Sequence, residues 1–378
     1  MKKSKLLLIC PVFLNQSETF IYAMLQKMKD FETRVICYDY RNSDVFAYPK
    51  ENLLTLRSLP WWRSIAVEMG LKNNAVHQFM ADWEPDVIHA QFMVSAPIAA
   101  QVKKYFSGRP QLVLHIHGQD FFIPQQQKKF SYIKNRLAVA DLILTPSEYV
   151  KNEIQKQVPQ QKNIYCYYTA IDAEYTYRGP LVLGDTVKVM MLGRMVEKKG
   201  FDVGIRAVGH AAHQDHDHRY ELDIIGGGPL KEYLESVAKL YPIKVRFLTI
   251  KENEKVREEY AKHHLFLAPS KIAANGDREG LPRTVTEALA IGTPVIGAIH
   301  AGIPEAVIDH RTGLLFPEEN VEAAAAAIVW SVKNWPEMVK YAIAGRQHFD
   351  TVFGNQRRNP LSVGRTGVLN VFLSNLEG

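Results

Sequence analysis

Short apolar runs recur along the chain and alternate with helical patterns. In the first half the runs are KLLLIC, TRVICY, DVIHAQF, LVLHIHG and LILTPS; in the second they are VKVMMLG, ELDIIGGG, VRFLTI, LFLAPS, TPVIGA and GLLF. Most are β-branched-rich or apolar throughout, and each is followed by polar loop residues and an amphipathic stretch. This pattern predicts parallel strands covered by helices on both faces. Two such series predict two doubly wound α/β domains, with ligands expected in crevices outside the strand ends. Gly and Pro interrupt the pattern at YRGPLVLGDT (Tyr177–Thr186), which places the boundary there. Domains are therefore expected over 1–180 and 181–345, with a tail over 346–378. No internal repeat is visible, and the alanine run Ala323–Ala327 reads as ordinary helix.

Composition adds bounds. A chain of 378 residues, 47% apolar and 23% charged, has room for two domains of roughly 150–200 residues each. The start, MKKSKLLLICPVFL, imitates a signal peptide, but Pro11 interrupts the apolar run, polar NQSE follows, and no small-residue cleavage site appears. A buried first strand is expected instead. No run reaches the ~18 uninterrupted apolar residues of a membrane span. Cys10, Cys37 and Cys166, without CxxC spacing, point to a reducing compartment rather than a disulfide framework or zinc site.

Charge is unevenly placed. The net +6 lies wholly in residues 1–180, which hold 22 Lys+Arg against 16 Asp+Glu; residues 181–378 hold 24 of each. A basic half implies an anionic neighbour. No zinc-finger spacing, RNA-binding aromatic signature or basic helix is present, so nucleic acid is not expected. A membrane surface is the other candidate. LRSLPWWRSIAVEMGLKNN sets Trp61 and Trp62 beside Arg57, Arg63 and Lys72, the chemistry of an interfacial segment. Two tryptophans packed under a loop is the competing reading.

Candidate chemistry lies mainly in the second half. MMLGRMVEKKGFDVGIRAV reads as strand, turn at Gly193, then Arg194, Glu197, Lys198, Lys199 and Gly200 ahead of a helix. Arg194 and Lys199 on one loop form a diphosphate clamp, a guanidinium fork beside a point charge; a solvated basic loop is the alternative. DIIGGGPLKEYL carries Gly226, Gly227 and Gly228 but fails the dinucleotide fingerprint, whose third glycine would replace Lys231. A tight turn admitting a ligand to backbone stays open. In REGLPRTVTEALAIGTPVIG, Pro282 fits the first turn of a helix and Gly292 its end. Glu279 then precedes the helix and Glu287 lies one and a half turns inside it. Free N–H groups around Arg283 and Thr284 attract an anion such as phosphate. The two carboxylates can flank that anion and bind hydroxyls on either side, which describes a nucleotide sugar. The alternative makes Glu287 a solvent-facing helix residue and Glu279 a loop charge. The tract HAAHQDHDHRYELD offers His210, His213, His216, His218 and Asp215–Asp217 to a metal, but its position favours a solvated loop.

GRMVEKKG, IIGGGPL, APS, REGLPRTVTEALAIGTPVIG and AGIPEAVIDHRTGLLF, in this order and spacing, resemble glycosyltransferase family 4. The match runs through Lys188–Phe316. The resemblance implies the GT-B fold, two Rossmann-like domains facing each other across a cleft, and a retaining enzyme that uses a nucleotide sugar. EGLPRTVTE looks like the family's E-x7-E element. That likeness puts Glu279 and the Gly280–Leu281–Pro282 backbone at the donor sugar and Glu287 at the ribose, with Arg194 and Lys199 on the diphosphate. Gly227, Arg283 and Thr284 complete the expected donor site. HIHGQD resembles the family's HG-x-D and implies His117 and Asp120 near the transferring sugar; a structural histidine at a strand end is the other reading of His117. NQSETFI, with Asn15, Ser17 and Glu18, resembles the acceptor-side loop of members that build bacterial surface polysaccharides, and ADLILTPSEYV resembles the last strand of the family's amino-terminal domain and the helix after it. Two features depart from the family pattern. No glycine lies between Cys10 and Ile21, and Gly354, Pro360, Gly364 and Gly367 interrupt a tail that in relatives is a helix returning to the first domain.

The resemblance implies hexosyl transfer to a lipid-linked or saccharide acceptor, catalysed by Glu279, His117, Asp120, Arg194 and Lys199. The expected donor is UDP- or GDP-linked, with no metal and no cofactor. The expected location is cytoplasmic, peripheral on the inner face of the membrane. A sugar-nucleotide epimerase shares the two-domain fold, but the E-x7-E element argues against it. A non-catalytic nucleotide-sugar-binding scaffold or sensor is the alternative from another class.

Overall fold

The computed structural model describes residues 3–14, 19–42, 48–58, 74–168, 175–250 and 253–354. They form two compact units that part in sequence between Tyr167 and Tyr168.

In the first unit, β1 (Ser4–Phe13), β2 (Phe31–Tyr40), β3 (Leu53–Thr55), β4 (Val87–Gln91), β5 (Gln111–His115), β6 (Leu142–Thr145) and β7 (Ile164–Cys166) make one parallel sheet. Its order is β3-β2-β1-β4-β5-β6-β7. The run that imitates a signal peptide is β1. Leu7 and Ile9 enter the core on one face of the sheet, while Leu6, Leu8 and Cys10 enter the core on the other. Two-sided burial is why this run is apolar at every position rather than at alternate ones. Pro11 lies beyond Ile9, where pairing with β4 ends, so its missing N–H is tolerated on that side of the strand.

In the second unit, β8 (Thr186–Leu192), β9 (Arg219–Ile225), β10 (Lys244–Leu248), β11 (Leu265–Ala268), β12 (Val295–Ala298) and β13 (Leu314–Phe316) make a parallel sheet ordered β10-β9-β8-β11-β12-β13. β11 and β12 are buried throughout, whereas edge strand β10 is not. Strand order reverses between β8 and β11, and loops leaving those strands should meet where ligands bind in such sheets.

All eleven apolar runs are strands. β3 and β7 come in addition, three residues each at the edges of the first sheet, too short to show a period. Residues 175–185 belong to the second unit. The Arg178 and Gly179 N–H groups donate to the Ile291 carbonyl at 2.8 and 3.2 Å, and Trp335 Nε1 donates to the Leu181 carbonyl at 3.2 Å. At the far end the helix Trp335–Phe349 runs past 346, and one wider turn, Asp350–Gly354, follows. Any return of the tail to the first unit lies outside the described residues, as do Trp61, Trp62, Arg63 and Lys72. Among the described residues no helix is long and apolar enough to cross a membrane.

Candidate active site

Close backbone contact builds the switch point of the second sheet. Gly200 ends the loop after β8 at φ +59°, and a Cβ there would stand 1.9 Å from the Pro269 carbonyl oxygen. Only glycine allows the loop after β8 to lie this close to the one after β11. Gly226, at φ +134°, abuts the Gly193 carbonyl in the same way, and Met195 N donates to the Gly227 carbonyl at 2.8 Å. The glycine turn thus serves loop-on-loop packing between β8 and β9.

Ion pairs then cross the switch point. Lys198 Nζ meets Asp277 Oδ1 at 3.1 Å and Lys199 Nζ meets Glu279 Oε1 at 3.0 Å. Lys271 Nζ lies 3.3 Å from Asp202 Oδ2, and Lys271 N donates to the Lys198 carbonyl at 2.9 Å. Glu279 is 9% exposed. Burial pushes its carboxyl up, but Lys199 and Lys198 outweigh that and hold it at about 2. Its Oε1 is buried against the Lys199 ammonium. Arg194 on the same loop is exposed.

The helix Arg283–Ile291 starts after Pro282, its N-cap, and ends at Gly292 with φ +90°. Glu287 is 8% exposed. Tyr260 Oη donates to its Oε2 at 3.0 Å, the Tyr175 hydroxyl hydrogen-bonds it, and Arg283 Nη2 lies 3.7 Å from its Oε1. The alternative of a solvent-facing Glu287 and a Glu279 that is merely a loop charge therefore fails, since both are buried and held. The helix's first-turn N–H groups at Arg283 and Thr284 lack intrahelical acceptors. The Gly280 carbonyl accepts from Gly302 N at 2.9 Å, fixing the segment between the two carboxylates.

In the first unit Asp120 joins two strand-end loops. Its Oδ1 accepts from His117 N at 2.9 Å and its Oδ2 from Met93 N at 2.8 Å. Loss of solvent pushes its carboxyl up to about 6 despite these donors. His117 Nε2 lies 2.7 Å from Gln91 Oε1 on β4, and its ring stacks on His115 at 4.5 Å. Burial first, then His115 and His89, pull its pKa well below the ordinary value, so His117 is a neutral ring that donates to Gln91. Asn15, Ser17 and Glu18 lie outside the described residues.

Sequence reasoning missed several groups. Gln91, Tyr260 and His300 contact the expected residues from distant segments, and Glu318 reaches them only through His300. The histidine tract also differs from expectation. Asp215 is buried rather than solvated, accepting from Asp217 N at 3.1 Å and Tyr220 Oη at 2.7 Å, with His218 Nδ1 at 3.0 Å. Among the described residues, the group whose ligand atoms all lie within 4.8 Å is Asp223, Glu259 and His263. Arg246 already places a cation on Asp223, with contacts of 2.6 and 2.5 Å.

Residues 177–348 match the family of glycosyl transferases group 1, and residues 17–175 match glycosyltransferase family 4. WcaL of Escherichia coli (strain K12), described as a colanic acid biosynthesis glycosyltransferase, is 26% identical over 291 residues, 74% of this chain and 70% of that protein. AmsK of Erwinia amylovora, an amylovoran biosynthesis glycosyltransferase, is 31% identical over 173 residues, 45% of this chain and 42% of its own length. Sucrose-phosphate synthase from Thermosynechococcus elongatus matches with a TM-score of 0.75 at 18% identity, covering 93% of this chain and 95% of that one. Anabaena Alr3699/HepE in complex with UDP-glucose matches at 0.71 and 15%, again covering 93% and 95%. At these identities the likeness is one of fold, GT-B. The chain belongs to the glycosyltransferases, its first unit to family 4 and its second to group 1.

Proposed function

We propose that this protein moves a hexosyl group from a UDP- or GDP-linked sugar to a saccharide or lipid-linked saccharide acceptor in surface polysaccharide biosynthesis. The transfer retains anomeric configuration and needs no metal. The Lys199–Glu279 pair at the switch point of the second sheet, its carboxylate buried, carries this reading. It sets a cation against an ionised carboxylate where a diphosphate and its sugar would meet. The relatives named for colanic acid and amylovoran biosynthesis, and the UDP-glucose bound by HepE, support the substrate class.

In this scheme the acceptor oxygen bonds to the anomeric carbon on the face from which the diphosphate leaves. The sugar–phosphate bond breaks, and the acceptor's proton passes to the departing phosphate oxygen. Arg194, Lys199 and the N–H groups at Arg283 and Thr284 stabilise the charge that develops there. Glu279 orients the sugar hydroxyls and is not a nucleophile. Glu287, steadied by Tyr260 and Tyr175, takes the ribose hydroxyls. The family pattern assigns His117 to a substrate hydroxyl, with Asp120 holding its loop. The basic first half suits an acceptor presented at an anionic membrane surface.

Thermal stabilisation by UDP, GDP and ADP tests the donor site. A nucleotide at a hundred times its dissociation constant adds about 2.7 kcal/mol, and Glu287→Ala should lose most of that. If no nucleotide stabilises the protein, the donor-site reading fails and the motifs are architecture; nucleotide binding without turnover of any donor would favour the nucleotide-sugar-binding scaffold. Transfer should also persist in excess chelator; its abolition would overturn metal independence.

A further inference from the structure

We infer that His300 is a positioning residue of the donor site and that Glu318 selects the tautomer in which it acts. The inference rests on the reading of Glu279 as a donor-sugar residue. His300 follows β12 and is 2% exposed. Its Nε2 lies 3.2 Å from the Glu279 backbone N, and its Nδ1 lies 2.9 Å from Glu318 Oε2. A backbone N–H only donates, so Nε2 must carry a lone pair. A carboxylate only accepts, so Nδ1 must carry the proton. Together these contacts specify a neutral imidazole protonated at Nδ1.

Glu318 is fixed in turn. Its Oε1 accepts from Ile272 N at 2.5 Å, so the carboxylate that orients His300 is itself tied to the segment after β11. One imidazole therefore joins three strand-end segments and holds the peptide that aims the Glu279 carboxylate at Lys199. Beside it, Gly302 N donates to the Gly280 carbonyl at 2.9 Å, a second tie that does not titrate.

This arrangement makes the anchor sensitive to acid. Burial keeps the His300 pKa below the ordinary histidine value, while Glu318 and Glu279 oppose that shift and Arg278 adds to it. Lys199 and Lys198 stand behind Glu279. Protonation would set an Nε2–H against the Glu279 N–H, two donors with no acceptor between them. The Glu279 segment would then lose its hold, and the chemical step would slow at acid pH while the nucleotide end stayed bound.

Nitrogen and carbon NMR of histidine-labelled, ligand-free protein, with His300→Gln to assign the signal, tests the geometry without any donor. A neutral ring protonated at Nδ1 at pH 7.5 is expected; the Nε2–H tautomer or an imidazolium overturns the inference. Turnover of UDP- and GDP-hexoses tests the role. His300→Leu should lower kcat by roughly 10–100-fold while the Kd for the nucleoside diphosphate changes by less than about twofold. In His300→Gln the amide oxygen can accept the same N–H and cannot titrate. That variant should stay within about threefold of the wild-type kcat and lose the His300 contribution to the acid limb of the pH profile, leaving that of Asp120. Unchanged kcat in His300→Leu, or kcat and nucleotide affinity falling together in both variants, reduces His300 to packing and overturns the role. If the wild type turns over no hexose donor, the donor assignment and this role fall together, while the tautomer measurement still stands.

Discussion

At Glu279 burial and charge oppose each other. Loss of water alone would raise the carboxyl, but Lys199 at 3.0 Å and Lys198 beyond it bring it to about 2 from 4.5. A carboxyl depressed in the folded state stabilises the protein fully above its unfolded pKa, and that contribution drains away as pH falls toward the folded value. Stability should therefore drop between about pH 4.5 and 2, and Glu279→Gln should flatten that drop in denaturant titrations at pH 6 and pH 3. Lys199→Met strands a buried anion and should cost roughly 3 kcal/mol. Adding Glu279→Gln to it should recover much of that loss, because the two residues act as one unit. Strictly additive losses would show that the pair is not coupled. The spacing of Glu279 and Glu287 was legible in the sequence because a helix start and a Gly-Leu-Pro frame it. Tyr260 and His300 were not, because the fold brings them to these residues from separate segments, nor was Glu318, which acts on Glu279 only through His300.

The elements were read from their periods, and the edges show the limit of that signal. A buried parallel strand is largely apolar, so β1, β6, β11 and β12 stand out, while β4 is buried throughout yet carries His89 and Gln91. β3 and β7 have three residues each, and no period fits into three positions. The glycine turns were legible only in part. Failure of the dinucleotide fingerprint at Lys231 excluded one ligand, but nothing local showed that Gly226 lies against Gly193 or Gly200 against Pro269. Those contacts make a sharp prediction. Gly200→Ala imposes a Cβ at φ +59° with a backbone oxygen 1.9 Å away, and backbone cannot swing aside as a side chain can. The change should cost roughly 2–4 kcal/mol and weaken nucleotide binding through the displaced Lys199. A denaturant midpoint shift worth less than about 0.5 kcal/mol would mean the two loops are not packed as described.

At the scale of the molecule, two series of strand and helix patterns gave two α/β units, and a family resemblance gave their type. The linker was harder to read. Its Gly and Pro residues interrupt the pattern near 180, yet hydrogen bonds to Ile291 and Trp335 tie residues 178–181 to the second unit. Charge is the other feature of this scale. All six excess positive charges fall in residues 1–180, and among the described residues no helix could anchor the chain by crossing a bilayer. Membrane attachment through these charges would be electrostatic, and that can be tested. Each Lys or Arg near an anionic surface contributes about 1 kcal/mol, so three facing lipid would supply about 3 kcal/mol, more than a hundredfold in partitioning. With screening lengths of about 8 Å at physiological salt and 3 Å at 1 M, flotation with anionic vesicles should be strong at low salt and disappear at high salt. Equal flotation with neutral vesicles would make the tryptophan-bearing segment, rather than the charge, responsible. No flotation with either would leave the basic excess to a soluble anionic acceptor.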